Sequence, residues 1–289
     1  MNTMPGWLRV MRPMQWTKNV VVLAGLVFSG NASNPELVIR AALAFIAFCL
    51  VSSSMYVFND WHDRAEDRLH PVKNKRPIAS GAFPAEQAIG LAIALLGASL
   101  VLSAVVSIAL AVVVLTYALL MIGYTLWLRA IPLVDVLAIA AGFVLRALAG
   151  TVAVGVSISI WLFVCTLLLA LTLGLGKRAG ELSLLRADRL AHRSSLRQYA
   201  TLNMNVLLLC SGCATMLAYL VYTLVAPRYD RDIPMLVTAP FVAAALARYL
   251  WLVIRRHRGS APEKLIFEDR PLATAILAWS AAVALVLAS

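Results

Sequence analysis

The sequence predicts an all-α integral membrane protein with nine transmembrane helices. Of its 289 residues, 62% are hydrophobic and 13% are charged. The charged fraction is about half of that in a typical soluble domain. Apolar runs of roughly 20 residues, the length of a bilayer-spanning helix, recur along the whole chain. No soluble region interrupts them, so we expect a single transmembrane domain over residues 1–289.

The nine predicted spans cover residues 19–32, 36–59, 85–104, 107–128, 134–154, 160–176, 200–225, 235–254 and 272–288. Residues 1–18 mix basic side chains with Trp7 and Trp16, and this pattern predicts an interfacial segment on the membrane surface. The apolar run after Lys18 also fits the core of a cleaved signal peptide; we favour a retained first span. The four cysteines all lie within spans, where they are expected to be small buried hydrophobic residues.

The distribution of basic residues predicts the orientation of the chain. Twenty of the 25 Lys and Arg residues fall before the first span, at Arg129, or in the segments 60–84, 177–199 and 255–271, which we predict to be active-site loops, whereas three fall on the other side. The positive-inside rule makes the first group cytoplasmic. We therefore expect a multi-pass protein of the cell (inner) membrane, with a cytoplasmic N-terminus and active site. This bias and the anionic lipid surface account for the net charge of +11, so the expected partners include membrane lipids and no nucleic acid. A homo-oligomer is compatible with the sequence.

The segment after the second span contains a dense group of acidic residues. Asp60, Asp63 and Asp67 stand at i, i+3 and i+7, so a continuing helix places their carboxylates on one face. Three such anions repel one another, and a divalent cation such as Mg²⁺ removes that repulsion. Lys73 and Arg76 follow, which suits an anionic ligand. Alternatively, the segment is a solvated loop whose acids pair with neighbouring arginines.

The fifth predicted span carries two charged residues. Asp135 begins it, where a carboxylate either caps the helix or contributes to a site. Arg146 lies about 16 Å further along the same helix. An arginine at that depth marks a polar cavity inside the bundle, and its guanidinium is suited to hold a phosphate oxygen. We therefore predict that Arg146 binds a phosphate.

Two more inner segments carry polar groups. Lys177 and Arg178, followed by Glu181, either bind an anionic ligand or only complement the helix dipole at the end of the sixth span. Arg270 belongs to an acid–base cluster that either covers the site or anchors the last helix. We expect these segments to converge with the Asp-rich segment on the inner face. Carboxylates and cations at the mouth of an apolar bundle suit a Mg²⁺-bound diphosphate as the leaving group and a lipid tail in the membrane.

Two motifs carry a family likeness, Asn59-Asp60-x-x-Asp63-x-x-x-Asp67 and Asn74-Lys-Arg76-Pro77-x-x-Ser80-Gly81. Together they resemble the first signature of the UbiA superfamily of intramembrane prenyltransferases. The resemblance implies that the single domain is UbiA-like, with nine helices in a ring around a lipid-open cavity and with Mg²⁺ and diphosphate at its cytoplasmic mouth. Members usually carry a second Asp-x-x-x-Asp motif after the sixth span, where this chain has Gly176-Lys177-Arg178-x-x-Glu181. This difference indicates that the chain holds different phosphates.

Other elements resemble the branch of the superfamily that transfers phosphoribosyl groups to decaprenyl phosphate. They are the Gly-Lys-Arg-x-x-Glu element, Arg12-Pro13-x-Gln15-Trp16-x-Lys18-Asn19, Pro132-x-x-Asp135, Gly142-Phe-x-x-Arg146-Ala-x-Ala-Gly150 and Glu268-Asp-Arg270-Pro. The resemblance implies a membrane-embedded glycosyltransferase with phosphoribosyl diphosphate as donor and a polyprenyl phosphate as acceptor. Its products would be diphosphate and polyprenyl-phosphoryl-5-phosphoribose, a precursor of arabinose or ribose donors for the cell envelope.

The resemblance also implies roles for particular residues. Asp60, Asp63 and Arg146 would be catalytic, and Asn59, Asp60, Asp63 and Asp67 would hold Mg²⁺. The residues expected to bind the substrates are Lys18, Asn59, Lys73, Arg76, Tyr124, Arg129, Asp135, Arg146, Lys177, Arg178, Glu181 and Arg270. The acceptor phosphate is already a nucleophile, so it needs positioning rather than a general base.

Two other functions are compatible with the same features. A prenyltransferase that moves a polyprenyl group from its diphosphate to an aromatic acceptor uses the same Asp-rich motif, although the missing second motif counts against it. A transporter or lipid flippase accounts for an intramembrane arginine and its neighbouring glycines, but poorly for acids clustered on one face. Turnover by the purified protein in detergent separates an enzyme from a transporter.

Overall fold

The computed structural model describes residues 5–31, 33–157, 160–188, 199, 201–225 and 234–288. Every regular element within these ranges is helical. Eight of the helices are long and apolar enough to cross a membrane, judged by length and composition, which agrees with the predicted all-α architecture. Each predicted span from 36–59 onward corresponds to one of these eight helices.

The elements follow one another in chain order with short connections. They are α1 (Gly6–Val10), a 3-10 helix (Pro13–Leu23), α2 (Ala24–Phe28), α3 (Pro35–His62), α4 (Arg64–Leu69), a 3-10 turn (Lys73–Lys75), α5 (Ala85–Val106), α6 (Ile108–Leu126), a 3-10 turn (Leu128–Ala130), α7 (Val134–Val154), α8 (Ile160–Asp188), α9 (Met204–Val225), a 3-10 turn (Met235–Thr238), α10 (Ala239–Arg256), α11 (Pro262–Glu268) and α12 (Arg270–Ala288).

The predicted first span, 19–32, has a different structure from the other eight. Pro13–Leu23 form a 3-10 helix and Ala24–Phe28 a short α-helix, so this segment contains no α-helix of spanning length. A 3-10 helix rises about 2.0 Å per residue, so Pro13–Leu23 is about 22 Å long, shorter than the hydrocarbon thickness of a bilayer, about 30 Å. The count of nine crossings is not confirmed, and the ninth crossing stays a prediction.

The chain divides into two compact units, one of Met1–Leu128 with Val144–Ile158 and one of Arg129–Phe143 with Ser159–Ser289. In the first unit, α3 packs along α5. Ser54 Oγ donates a hydrogen bond to the Ala92 carbonyl, and Ser99 Oγ donates one to the Ala47 carbonyl, each over 2.7 Å. Interhelical bonds of this kind contribute to helix association in lipid, where the hydrophobic effect does not drive it.

Gly150 on α7 allows the N-terminal 3-10 helix to pack closely within the first unit. A Cβ atom at this position would lie 1.8 Å from the carbonyl oxygen of Val22, so even alanine requires the two elements to separate. We expect Gly150→Ala to destabilise the protein by about 1–3 kcal/mol and to lower its thermal unfolding midpoint in detergent. Gly97→Ala on α5 is the matched control, because a Cβ there meets nothing within 4 Å. Equal midpoints for the two variants would contradict this packing.

One helix boundary in the second unit differs from its predicted position. The sixth span was predicted to end at 176 and the segment 177–199 to be a loop, but α8 continues to Asp188. The loop prediction is therefore wrong for residues 177–188, while residues 189–198 lie outside the described ranges. The Arg178–Glu181 ion pair at i, i+3 favours the helix at this position. The segments 60–84 and 255–271, also predicted as loops, contain the short helices α4 and α11.

Glycines on α8 bring it against the turn that follows α10. A Cβ at Gly259 would lie 2.1 Å from the Gly176 carbonyl oxygen, and a Cβ at Gly180 would lie 2.2 Å from the Ser260 nitrogen. At both places the backbone of α8 packs directly against the backbone of the turn. These contacts fix the position of the Lys177–Glu181 turn of α8. The buried core beside it includes Leu175, Leu208, Tyr249, Leu252 and Leu265.

Candidate active site

Three aspartates lie where α3 ends and α4 begins. Asp63 forms the junction, with φ −85° and ψ 3°. The helical hydrogen bonds nevertheless continue through it, from Asp63 N to Asn59 O and from Asp67 N to Asp63 O, both over 2.9 Å. The chain therefore keeps the helical path that the spacing predicted, and Asp60, Asp63 and Asp67 are all buried.

Two arginines contact these carboxylates. Arg76 Nη1 donates to Asp60 Oδ1 over 3.0 Å and to Asp67 Oδ2 over 2.6 Å. Arg12 Nη2 donates to both oxygens of Asp60, over 2.6 and 2.8 Å, and Lys73 Nζ lies 3.9 Å from Asp67 Oδ1. Three carboxylates and three cations balance in formal charge. We call this group the carboxylate–arginine cluster: Arg12, Asp60, Asp63, Asp67, Lys73 and Arg76.

The donor chemistry of this cluster fits Mg²⁺. Mg²⁺ prefers oxygen ligands, and three aspartates within two helical turns supply them. Among the described residues, however, no three His, Cys, Asp or Glu side chains lie close enough to surround one ion. Arg76 bridges Asp60 and Asp67 instead. Burial raises the pKa of the Asp67 carboxyl, and the Arg76 guanidinium offsets part of that rise.

Asn59 links the cluster to α6, and α3 also lines an apolar cavity. Its Nδ2 donates to Asp63 Oδ2 over 3.2 Å, and its Oδ1 accepts from Thr125 Oγ1 over 3.4 Å. A cavity of about 240 Å³ has a lining that includes Phe58, the neighbour of Asn59 in sequence; the full lining is Ser54, Met55, Phe58, Ile89, Ala92, Ile93, Leu96 and Ile122. A cavity with this lining suits an apolar ligand.

Arg146 is buried in the first unit and bonds to neighbouring helices. Its Nε donates to Asn19 Oδ1 and its Nη2 donates to the Tyr117 hydroxyl, each over 2.8 Å. Asn19 in turn donates to Ser52 Oγ over 3.1 Å. These bonds join the N-terminal 3-10 helix to α3, α6 and α7, which gives Arg146 a packing role. Its predicted contact with a phosphate stays a prediction.

The second unit contains a buried network around Asp135, in the first turn of α7. Asp135 Oδ2 lies 2.7 Å from Arg178 Nε, and its Oδ1 accepts a hydrogen bond from the Tyr199 hydroxyl. Arg178 Nη1 also donates to Glu181 Oε2 over 2.5 Å. The Tyr199 hydroxyl accepts from the Leu133 N–H over 2.7 Å. We call these residues the Asp135 network: Leu133, Asp135, Arg178, Glu181 and Tyr199.

The Asp135 network brings together three of the predicted site residues. Burial and the bond to Asp135 raise the pKa of Tyr199, so its hydroxyl stays protonated near neutral pH and donates to the carboxylate. Arg178 is only 3% exposed and contacts two carboxylates. Removal of this guanidinium would leave the buried Asp135 carboxylate without its cation. The predicted contacts of Asp135, Arg178 and Glu181 with substrate stay predictions.

The remaining predicted residues are distributed over both units. Those that are half-buried are Lys18 on the N-terminal 3-10 helix, Tyr124 on α6, Arg129 and Lys177. Arg270 is exposed at the first position of α12. The preceding residue, Asp269, pairs with Arg248 over 2.8 and 3.0 Å, and this pairing lowers the pKa of Asp269. The acid–base cluster before the last helix therefore anchors α12 to α10.

Three residues of these clusters, Arg12, Leu133 and Tyr199, were not selected from the sequence, and Leu133 contributes only its backbone N–H. Arg12 was noted only as part of a motif, although its position six residues before Lys18 in that motif was a usable signal. Tyr199 carried no signal, because a single aromatic residue after a basic segment has no distinctive pattern.

The long apolar helices and the buried carboxylate–arginine cluster define a multi-pass membrane protein with a polar group of side chains at the end of one span. The chain belongs to the UbiA prenyltransferase family, whose sequence profile matches residues 19–268. This finding confirms the family resemblance seen in the Asp-rich motif.

Within the family, the chain is similar to decaprenyl-phosphate phosphoribosyltransferases. It is 32% identical to the one from Corynebacterium glutamicum over 285 residues, covering 96% of this chain and 85% of that protein. It is 31% identical to the one from Mycobacterium tuberculosis, covering 98% of this chain and 94% of that protein. The resemblance to this branch, which the departure from the second Asp motif indicated, is thereby confirmed.

Solved structures agree in fold. A UbiA homologue from Archaeoglobus fulgidus bound to GPP and Mg²⁺ has a TM-score of 0.75 and 21% identity, and the match covers 98% of this chain and all of that one. Digeranylgeranylglyceryl phosphate synthase has a TM-score of 0.67 and 17% identity, covering 99% of this chain and 96% of that one.

Proposed function

We propose that this protein transfers the 5-phosphoribosyl group from phosphoribosyl diphosphate to a polyprenyl phosphate, with Mg²⁺ as cofactor. The observation that carries the proposal is the buried carboxylate–arginine cluster in a chain that matches relatives of this activity over nearly its whole length. Such a cluster has groups that suit the metal ion and groups that suit the phosphate oxygens of a metal-bound diphosphate. The carboxylates suit the metal, and the guanidiniums suit the phosphate oxygens.

The ligands compete with contacts that the cluster already makes. Arg76 holds Asp60 and Asp67 at once, so a diphosphate that accepts hydrogen bonds from Arg76 would release carboxylate oxygens. Asp60, Asp63 and Asp67, with the Asn59 amide, would then hold Mg²⁺. When bound, Mg²⁺ neutralises the negative charge that develops on a departing diphosphate. Arg76 and Lys73 would stabilise the same charge from the protein side.

The reaction requires one bond to break and one to form at the ribose. The bond between the anomeric carbon and the diphosphate oxygen breaks, and its electron pair leaves with diphosphate. An oxygen of the acceptor phosphate forms the new bond to that carbon from the opposite face, with inversion. The acceptor phosphate and the departing diphosphate are both anionic near neutral pH. No side chain therefore has to remove a proton from the nucleophile or donate one to the leaving group, and the protein contributes by holding the two reactants in place.

The membrane placement of the reaction follows from the charge pattern. The cluster lies at the end of α3, where the apolar span stops, and the excess of basic residues on this side supports a cytoplasmic location. A water-soluble donor would reach the site from the cytoplasm. The polyprenyl chain would stay among the helices, and the apolar cavity lined by α3, α5 and α6 is large enough for part of it.

Prenyl transfer to an aromatic acceptor is the second candidate function. It is favoured by the fold similarity to the Archaeoglobus fulgidus homologue, whose bound ligands are GPP and Mg²⁺. Against it stands the replacement of the second acidic motif by Gly176-Lys177-Arg178-x-x-Glu181. A site with fewer carboxylates and more cations is better matched to additional phosphate groups.

A two-donor assay separates the two candidates. Purified protein with Mg²⁺ is incubated with polyprenyl phosphate and phosphoribosyl diphosphate labelled in the ribose, and in parallel with a labelled prenyl diphosphate and an aromatic acid. We expect ribose label in the lipid phase, lost with EDTA, and no prenylated ring. A prenylated ring without labelled lipid would overturn the proposal in favour of the second candidate.

A further inference from the structure

We propose that Arg12 is an internal cation that occupies the metal position of Asp60 in the unliganded protein. A divalent ion displaces it, and its guanidinium then binds the diphosphate of the donor. The first half of this inference concerns the metal alone. The second half rests on the proposed function.

The geometry of the Arg12–Asp60 contact carries the argument. A single nitrogen, Nη2, lies 2.6 Å from Asp60 Oδ1 and 2.8 Å from Oδ2. A charged nitrogen that contacts both oxygens of a carboxylate competes with any cation that would bind those oxygens. Asp60 Oδ1 also accepts from Arg76. The oxygens of Asp60 are thus engaged by guanidiniums, and an incoming ion has to compete for them.

Arg12 reaches this position through a particular backbone conformation. It has φ 55° and ψ 60°, between the end of α1 and the N-terminal 3-10 helix. This left-handed conformation costs an L-residue roughly 1–2 kcal/mol, so the surroundings must enforce it. Neighbouring contacts do so: Ser53 Oγ donates to the Met11 carbonyl over 2.9 Å, and Trp16 Nε1 donates to Ser53 Oγ over 3.0 Å.

α3 holds the guanidinium with two residues one turn apart. Asp60 binds its nitrogen, and the ring of Tyr56 lies 5.2 Å from its central carbon, within range of a cation–π contact. Asp60 is 2% exposed, whereas Arg12 is 27% exposed. The carboxylate is therefore fixed and buried, while the arginine keeps a hydrated side. An arginine in this position can exchange Asp60 for an anionic ligand without leaving the site.

Metal binding by the substrate-free protein tests the first half directly. Mn²⁺ is titrated into full-length protein in detergent and its binding is measured by electron paramagnetic resonance. Because removal of a competing cation exposes the Asp60 oxygens, we expect Arg12→Ala to bind Mn²⁺ about tenfold more tightly than the natural protein. Arg9→Ala, which removes an exposed arginine on α1, is the matched control and should leave the affinity unchanged. Arg12→Asn repeats the test with a residue that adopts the left-handed conformation readily.

The donor-dependent half predicts an effect of opposite sign. Arg12→Ala should raise the KM for phosphoribosyl diphosphate about tenfold, although its metal site is tighter. Unchanged or weaker Mn²⁺ binding by both Arg12 variants would overturn the inference, whatever the donor proves to be. If the Arg12 variants bound Mn²⁺ more tightly but the natural protein transferred no phosphoribosyl group, the competition between Arg12 and the metal would stand. The proposed donor would then be wrong.

Discussion

Asp60→Asn is expected to reduce the rate of phosphoribosyl transfer about 1000-fold, a loss typical of removing a group that stabilises charge in the transition state. Asp60 is contacted by both Arg12 and Arg76, and its carboxylate is the proposed ligand of Mg²⁺. An amide of the same shape keeps an oxygen but loses the charge. Initial rates with saturating donor and acceptor measure the effect.

The variant should still fold and insert into the membrane. Arg12 and Arg76 are about one-quarter exposed, so water can solvate both guanidiniums when their partner becomes neutral. Glu66→Gln on α4 is the matched control, since Glu66 is an exposed carboxylate close in sequence. If Asp60→Asn and Glu66→Gln both showed near-normal turnover, Asp60 would have no role in the reaction.

Arg178→Ala is expected to destabilise the second unit by about 3–5 kcal/mol, because it leaves the buried Asp135 carboxylate without its cation. Asp135 is fully buried, and the Arg178 Nε to Asp135 Oδ2 distance is 2.7 Å. The thermal unfolding midpoint in detergent should fall well below that of Lys264→Ala, an exposed cation in the same unit.

A double variant distinguishes folding from substrate binding at this network. In Asp135→Asn with Arg178→Met the two buried charges are removed together, and much of the lost stability should return. Arg178→Ala could instead have the same unfolding midpoint as the natural protein and a raised KM for a phosphate substrate. That result would make the Asp135 network a binding site rather than a group that stabilises the fold.

The long helices were predicted well because a continuous apolar run of spanning length is a strong sequence signal. In lipid a span must be continuous, apolar and helical, and α3, α5 and α7 begin or end within a few residues of their predicted positions. The N-terminal segment was predicted less well. Its apolar run has the composition of a span, but its 3-10 geometry depends on tertiary contacts such as the bond from Arg146 to Asn19, which local sequence does not encode.

The site was predictable where its residues are close in sequence. Asp60, Asp63 and Asp67 follow helical spacing, and Arg76 is only 16 positions from Asp60. Arg12 is 48 positions away, and its contact with Asp60 depends on how α1 packs against α3. Arg178 shows the same limit: the fold places it between two carboxylates of the same unit, and its contact with Asp135 joins distant parts of the chain, so local spacing did not predict it.

The most direct test of the proposed reaction follows both parts of the donor at once. Phosphoribosyl diphosphate carrying ¹⁴C in the ribose and ³²P in the terminal phosphate is incubated with the protein, Mg²⁺ and polyprenyl phosphate. We expect ¹⁴C in the lipid and an equal amount of ³²P in the aqueous phase as diphosphate, both abolished by EDTA. Lipid that contains ³²P, or lipid without ¹⁴C from folded protein, would contradict a transfer in which diphosphate leaves from the carboxylate–arginine cluster.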